Sequence, residues 1–152
     1  TLNSVHSFVE NYNSFSQQSA SIINIGSLYG IVSPDFRIYT DCDRKNSEVY
    51  GATKAGIIQM TKYFAVHAIK KNVRTNSISP GGILDDNNEL GESVLQKVKQ
   101  GSGFRKEYSL RCPMGRLAKV NEVVDPILFL ISSSCFFITF EFKKTLVNFS
   151  PN

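Results

Sequence analysis

Tyr50 and Lys54 stand four apart in Tyr50-Gly51-Ala52-Thr53-Lys54-Ala55-Gly56, at the start of a long apolar-periodic segment. On a helix that spacing sends both side chains from one face, where they could share one substrate. A phenol has an ordinary pKa of about 10, and an ammonium group within about 6 Å of it favours the phenolate, which brings the hydroxyl nearer the range useful for proton transfer at neutral pH. Each tenfold change in that equilibrium needs about 1.4 kcal/mol of differential interaction. Ser27 ends the apolar run Ser21-Ile22-Ile23-Asn24-Ile25-Gly26. Its hydroxyl could hydrogen-bond a carbonyl or alcohol that exchanges a proton with Tyr50. In most proteins a tyrosine and a lysine at this spacing form an ordinary surface pair, so the surrounding segments carry the weight.

Those segments read as alternating helices and strands. Leu2, Val5, Phe8 or Val9, Tyr12 and Phe15 recur every three or four residues, which predicts an amphipathic helix ending in the polar run Ser16 to Ser19. Ser21 to Ile25 follows as a buried parallel strand. Between Ser27 and Tyr50 lie 22 residues, most of them in the polar run Pro34 to Glu48. Its charges and turn formers predict a loop, either one that selects substrate through Asp35, Arg37 and Tyr39 or a solvated insertion. The helix from Tyr50 to about Lys71 carries a stripe of Ala52, Ala55, Gly56, Ile57, Met60 or Thr61, Phe64 and Ala68, with His67 as a core or interface residue. Asn72 is its expected terminator and Val73 to Ile78 the next strand.

Pro80-Gly81-Gly82 turns the chain out of the sheet, and glycines there let backbone approach a planar ligand. Leu90, Val94, Leu95 and Val98 suggest a short helix, followed by a flexible joint at Gly101-Ser102-Gly103, together either a mobile lid or a solvated connection. Glu122 to Ile131 has helical spacing interrupted by Pro126. A helix capped by Asp125 and starting at Pro126 would avoid the roughly 3 kcal/mol that an internal proline costs.

The order of Ile22-Ile23-Asn24-Ile25-Gly26-Ser27-Leu28-Tyr29-Gly30, the Tyr50 to Gly56 segment, and Arg74-Thr75-Asn76-Ser77-Ile78-Ser79-Pro80-Gly81-Gly82-Ile83 resembles the short-chain dehydrogenase/reductase family. Pro113-Met114-Gly115-Arg116-Leu117 is similar to that family's Gly-Arg turn. The resemblance implies an α/β fold, the C-terminal part of a Rossmann-like doubly wound parallel sheet over residues 1–134, followed by a diverged tail at 135–152. It implies that Ser27 polarises the substrate oxygen, that Tyr50 is the general acid or base, and that Lys54 lowers the tyrosine pKa and holds the nicotinamide ribose. Pro80, Gly81, Gly82 and Ile83 would approach the nicotinamide of NAD or NADP. Family members also pair their helices into oligomers, so a homo-oligomer is expected.

Ser27 to Tyr39 further resembles a subgroup associated with surface-polysaccharide and flagellin-glycan biosynthesis, which implies a sugar or sugar-nucleotide substrate bound in part by Asp35, Arg37 and Tyr39. The chain departs from the family pattern in several places. Thr1 stands where relatives have a relay asparagine, with Asn3 out of register, and Asp85 stands where many have a cofactor-binding threonine. Phe140 and Phe149 stand near expected glycines. No Gly-x-x-x-Gly-x-Gly or Gly-x-Gly-x-x-Gly run occurs, so the pyrophosphate-binding half is missing from the sequence. Three readings follow: an oxidoreductase chain that is truncated, an inactive remnant or non-catalytic oligomerising protein, and a serine-lysine hydrolase using Ser27 and Lys54, which the lack of a Gly-x-Ser-x-Gly turn disfavours.

Composition excludes other classes. The formal charge is +4 with scattered basic residues and no interleaved aromatic stripe, so nucleic acid is not an expected partner. Cys42, Cys112 and Cys135 have no Cys-x-x-Cys spacing, which argues against a disulfide framework and a metal site and suits a reducing cytoplasm. The apolar run Ile127 to Phe140 contains three serines and is shorter than the roughly 20 residues a membrane span needs.

Overall fold

The computed structural model describes residues 2–12, 19–40, 46–84, 102–135, 138–139 and 142–144. Strand β1 (Ala20–Ile25) runs parallel to β2 (Val73–Ser79), pairing Ala20 with Val73 through Ile25 with Ile78. The tail returns as β3 (Phe142–Lys144), parallel to β2 on its other side, so the order is β1-β2-β3. Thus β2 is the middle strand, and all seven of its residues are buried although five are polar or charged. Buried polar groups need partners. The Arg74 guanidinium donates to Leu130 O at 2.9 Å, the Asn76 amide to Ile138 O at 3.0 Å, and the Thr75 backbone N–H to Thr139 Oγ1 at 3.3 Å. These bonds dock the segment around Ile138 onto the sheet. Among the described residues β1 is an edge, and Ile25 is 44% exposed there.

Helices cover both faces, as expected for a doubly wound sheet. Successive strand side chains point to opposite faces, and Ile22 and Ile23 show it. Ile22 packs with Val73 against α1 (Leu2–Asn11) and α2 (Glu48–Ala68), through Val5, Val9, Phe64 and Ala68. Ile23 packs with Ile78 against Leu130 and Ile127 of α4 (Val120–Ile131) and against Cys135. Between β2 and α4 lies α3 (Ser102–Arg111). No helix among the described residues is long and apolar enough to cross a membrane.

Several expectations need correction. Helix α1 ends at Asn11, with Tyr12 packed beside it and Phe15 outside the described residues. Glu48 belongs to α2 rather than the preceding loop, because Ser47 caps the helix by accepting the Tyr50 N–H at 3.3 Å. The buried stripe of α2 is Ile58, Thr61, Phe64, Ala65 and Ala68, whereas Ala52, Ala55 and Gly56 are exposed. His67 is no core residue: it stacks on Tyr63 and bonds Glu10 at 3.1 Å across the exposed side of α1 and α2. Asn72 ends the helical segment as expected, in the left-handed region at φ 60°.

Helix α4 runs straight through Pro126, and its cap is supplied elsewhere. The Glu122 carboxylate accepts the Lys119 N–H at 2.7 Å and is gripped by Arg116, which starts the helix at Val120, upstream of the proline. Ser102 and Gly103 are in α3, not a joint. The predicted helix at Leu90, Val94, Leu95 and Val98 lies outside the described residues, as do Thr1, Cys42, Asp85, Phe140 and Phe149.

Candidate active site

Parallel strands bring their C-terminal ends to one side of the sheet, which is where open α/β folds bind ligands. Ser27 follows β1 and Pro80 follows β2, and the two ends are laced together. The Gly26 N–H donates to Ile78 O at 2.7 Å and the Leu28 N–H to Pro80 O at 2.9 Å. Ser27 is buried, and its Oγ accepts the Tyr29 N–H at 3.2 Å, capping a single 3-10 turn at Leu28–Gly30. A hydroxyl that accepts in this way keeps its own O–H to donate to a substrate oxygen.

The turn is pressed onto α2. A methyl group at Gly30 would stand 2.7 Å from the backbone carbonyl carbon of Lys54 and 2.8 Å from Ala55 N, so only glycine permits this approach. Across it, Lys54 Nζ donates to Ile25 O at 3.0 Å and lies 5.7 Å from the centre of the Tyr50 ring. The helical spacing therefore does bring Tyr50 and Lys54 together, beside the strand end that carries Ser27. The ammonium stands over the tyrosine ring, within the range of a cation over an aromatic face. Ser27 and Lys54 are not hydrogen-bonded to each other, so the nucleophile-base contact of a serine-lysine hydrolase is not made.

The Pro80 to Ile83 turn is held from behind. Gly82 O accepts the Ala118 N–H at 2.9 Å, Ile83 bridges Ala118, and the Leu84 N–H donates to Ala118 O at 2.7 Å. The Gly82 N–H donates to the hydroxyl of Tyr108 at 2.5 Å. Pro80, Gly81 and Gly82 line one cavity together with Tyr108, Cys112 and Met114.

The polar insertion is more built than a loop of its composition suggests. Phe36–Ile38 forms a 3-10 turn capped by Asp35, and Ile38 is fully buried against Tyr108 and Leu117. That contact corrects the solvated reading for this part of the run. Asp35 accepts from Arg37 at 2.9 Å and from Arg111 of α3 at 2.9 Å, and the Arg37 guanidinium beside it holds its carboxyl well below the usual carboxylate range. Arg37 remains two-thirds exposed, and Tyr39 packs on Phe104.

Helix α3, with Tyr108 and Arg111, escaped the sequence reading. The usable signal was the Glu107–Arg111 pair at helical spacing, closed at 2.7 Å, and Phe104 four before Tyr108. Burial pushes the Tyr108 phenol up, and pushes that of Tyr29 well above the usual tyrosine range, with Tyr39 and Tyr108 nearby adding to it.

A nicotinamide ribose fits this corner: the Lys54 ammonium has three donors and Ile25 O takes one. Residues 1–152 contain no glycine-rich run of the kind that holds a pyrophosphate, so none of them is assigned to that part of the cofactor.

Residues 1–142 match the family model described as enoyl-(acyl carrier protein) reductase. A 7α-hydroxysteroid dehydrogenase of Bacteroides fragilis is 34% identical over 125 residues, 81% of this chain and 40% of that protein. The post-translational flagellin modification protein A of Campylobacter coli is 28% identical over 126 residues, 82% of this chain and 44% of that protein. Among solved structures, a short-chain dehydrogenase from Leptospira borgpetersenii with bound NAD+ superposes with a TM-score of 0.70 at 33% identity, covering 91% of this chain and 45% of that one. The chain thus spans about two-fifths of the length of the curated relatives it matches.

Proposed function

The chain belongs to the short-chain dehydrogenase/reductase family, and from that membership we propose that it carries the proton-transfer side of an NAD(P)-dependent oxidoreductase acting on a carbonyl or alcohol. A nicotinamide, when bound, supplies or accepts the hydride. The Ser27 O–H would orient the substrate oxygen, and the Tyr50 hydroxyl would give that oxygen a proton in reduction or take one in oxidation. Lys54 would hold the ribose and stabilise the phenolate that Tyr50 leaves. Pro80, Gly81, Gly82 and Ile83 would wall the nicotinamide ring. The single observation that carries this reading is the ammonium of Lys54 poised over the Tyr50 ring beside the Ser27 strand end.

The substrate we propose is a sugar or sugar nucleotide. Support comes from the Ser27 to Tyr39 pattern and from the similarity to a flagellin modification protein. Asp35, bound to Arg111, would aim the exposed Arg37 at an anionic or hydroxyl-rich ligand, with Tyr39 beside it. We place the reaction in the cytoplasm, which suits the free thiols of Cys112 and Cys135.

The test is to express the longest reading frame containing residues 1–152, titrate it with NADH and NADPH, and assay sugar-nucleotide reduction. Turnover that survives Tyr50→Phe intact would sink the assignment. A second reading is a non-catalytic protein that assembles through the exposed Ala52, Ala55 and Gly56 of α2, small residues that would let a partner helix approach closely. Stable oligomers that bind neither cofactor would establish it.

A further inference from the structure

We propose that Tyr108 is a positioning residue for the Pro80 to Ile83 turn, and that the 34–40 insertion acts on that turn through it. The part of this proposal that concerns cofactor affinity rests on the oxidoreductase reading above.

Gly82 is gripped at both of its backbone groups. Its carbonyl accepts from Ala118 N, and its N–H donates to the Tyr108 hydroxyl at 2.5 Å. The ring fits as closely as the hydroxyl: a methyl group at Gly82 would stand 2.7 Å from two ring carbons of Tyr108. A side chain at 82 would therefore force this ring to move, quite apart from any ligand. Tyr108 is 3% exposed, and burial keeps the phenol protonated.

Tyr108 is in turn placed by the insertion. Ile38, fully buried, packs on it together with Leu117, and one helical turn further on Arg111 binds Asp35 at 2.9 Å. The chain of contact runs from Asp35 and Ile38 to α3, and from Tyr108 to Gly82. The segment proposed to meet substrate thereby sets the shape of the turn proposed to meet nicotinamide. This makes the tyrosine hydroxyl a connector whose loss should loosen one amide without unfolding the domain.

Tyr108→Phe keeps the ring and removes the hydroxyl. In the 152-residue chain, amide hydrogen exchange at Gly82, followed by NMR, should accelerate at least about fivefold, while β2 amides exchange as before. Unchanged exchange at Gly82 overturns the proposal, and needs no cofactor to do so. Should this variant not fold, Arg111→Gln leaves the tyrosine in place and frees Asp35 of the insertion from α3. It too should speed exchange at Gly82, and an unchanged rate overturns the coupling. In the longest reading frame containing residues 1–152, Tyr108→Phe should raise KM for the nicotinamide cofactor about fivefold with kcat little altered. An unchanged KM overturns the link to the cofactor. Failure of the unaltered protein to bind either cofactor overturns the oxidoreductase reading and, with it, the cofactor part alone.

Discussion

Lys54 Nζ lies 5.7 Å from the centre of the Tyr50 ring while its hydrogen bond to Ile25 O, 3.0 Å long, ties it to the end of the strand that carries Ser27. The lysine thus links two elements of the site as well as placing charge near the phenol. Lys54→Ala should weaken both cofactor binding and turnover, whereas Tyr50→Phe should abolish turnover and leave binding largely intact. Positioned acid-base groups contribute about 10²- to 10⁴-fold, so steady-state rates alongside fluorescence titration with NADH and NADPH separate the two effects.

Gly30→Ala places a methyl group against the backbone of Lys54 and Ala55. Neither neighbour is a flexible side chain, so the turn or the helix must move. The expected cost is about 1–3 kcal/mol of overpacking, read as a lower urea midpoint.

Asn24 and Thr61, both buried, share a 2.9 Å hydrogen bond between β1 and α2, and Thr61 also donates to Ile57 O. Thr61→Val preserves shape but leaves the Asn24 amide without its acceptor. A loss of about 1–3 kcal/mol is expected, and a urea midpoint equal to that of the unaltered protein would show the pair to be of no consequence.

Arg116 and the Lys119 N–H hold Glu122 ionised, with its carboxyl lowered to about 2 in the folded chain. A lowered folded-state value means that the bond contributes stability above the unfolded glutamate range near pH 4.5 and loses it as pH falls toward 2. Thermal melts between pH 6 and pH 2.5 should therefore fall more steeply for the unaltered chain than for Glu122→Gln; parallel curves would remove Glu122 from the cap of α4.

The period of the apolar residues and the Tyr50-Lys54 spacing determined much of this protein in advance: the two strands, α2 and its end at Asn72, and the face on which the tyrosine and lysine meet. These are local properties, decided within one helical turn or one strand. What only the tertiary structure decided depends on partners far apart in the chain. Pro126 stays inside α4 because Arg116 and Glu122 cap an earlier start, and the polar strand β2 is fully buried because Leu130, Ile138 and Thr139 meet its side chains and backbone. The insertion illustrates the same limit. Its charges leave a substrate-selecting loop and a solvated insertion both open, and the solvated reading gives way only where Arg111 is brought to Asp35 and Tyr108 to Ile38, because ion pairing and burial are set by the distance in space that the fold imposes, not by position along the chain.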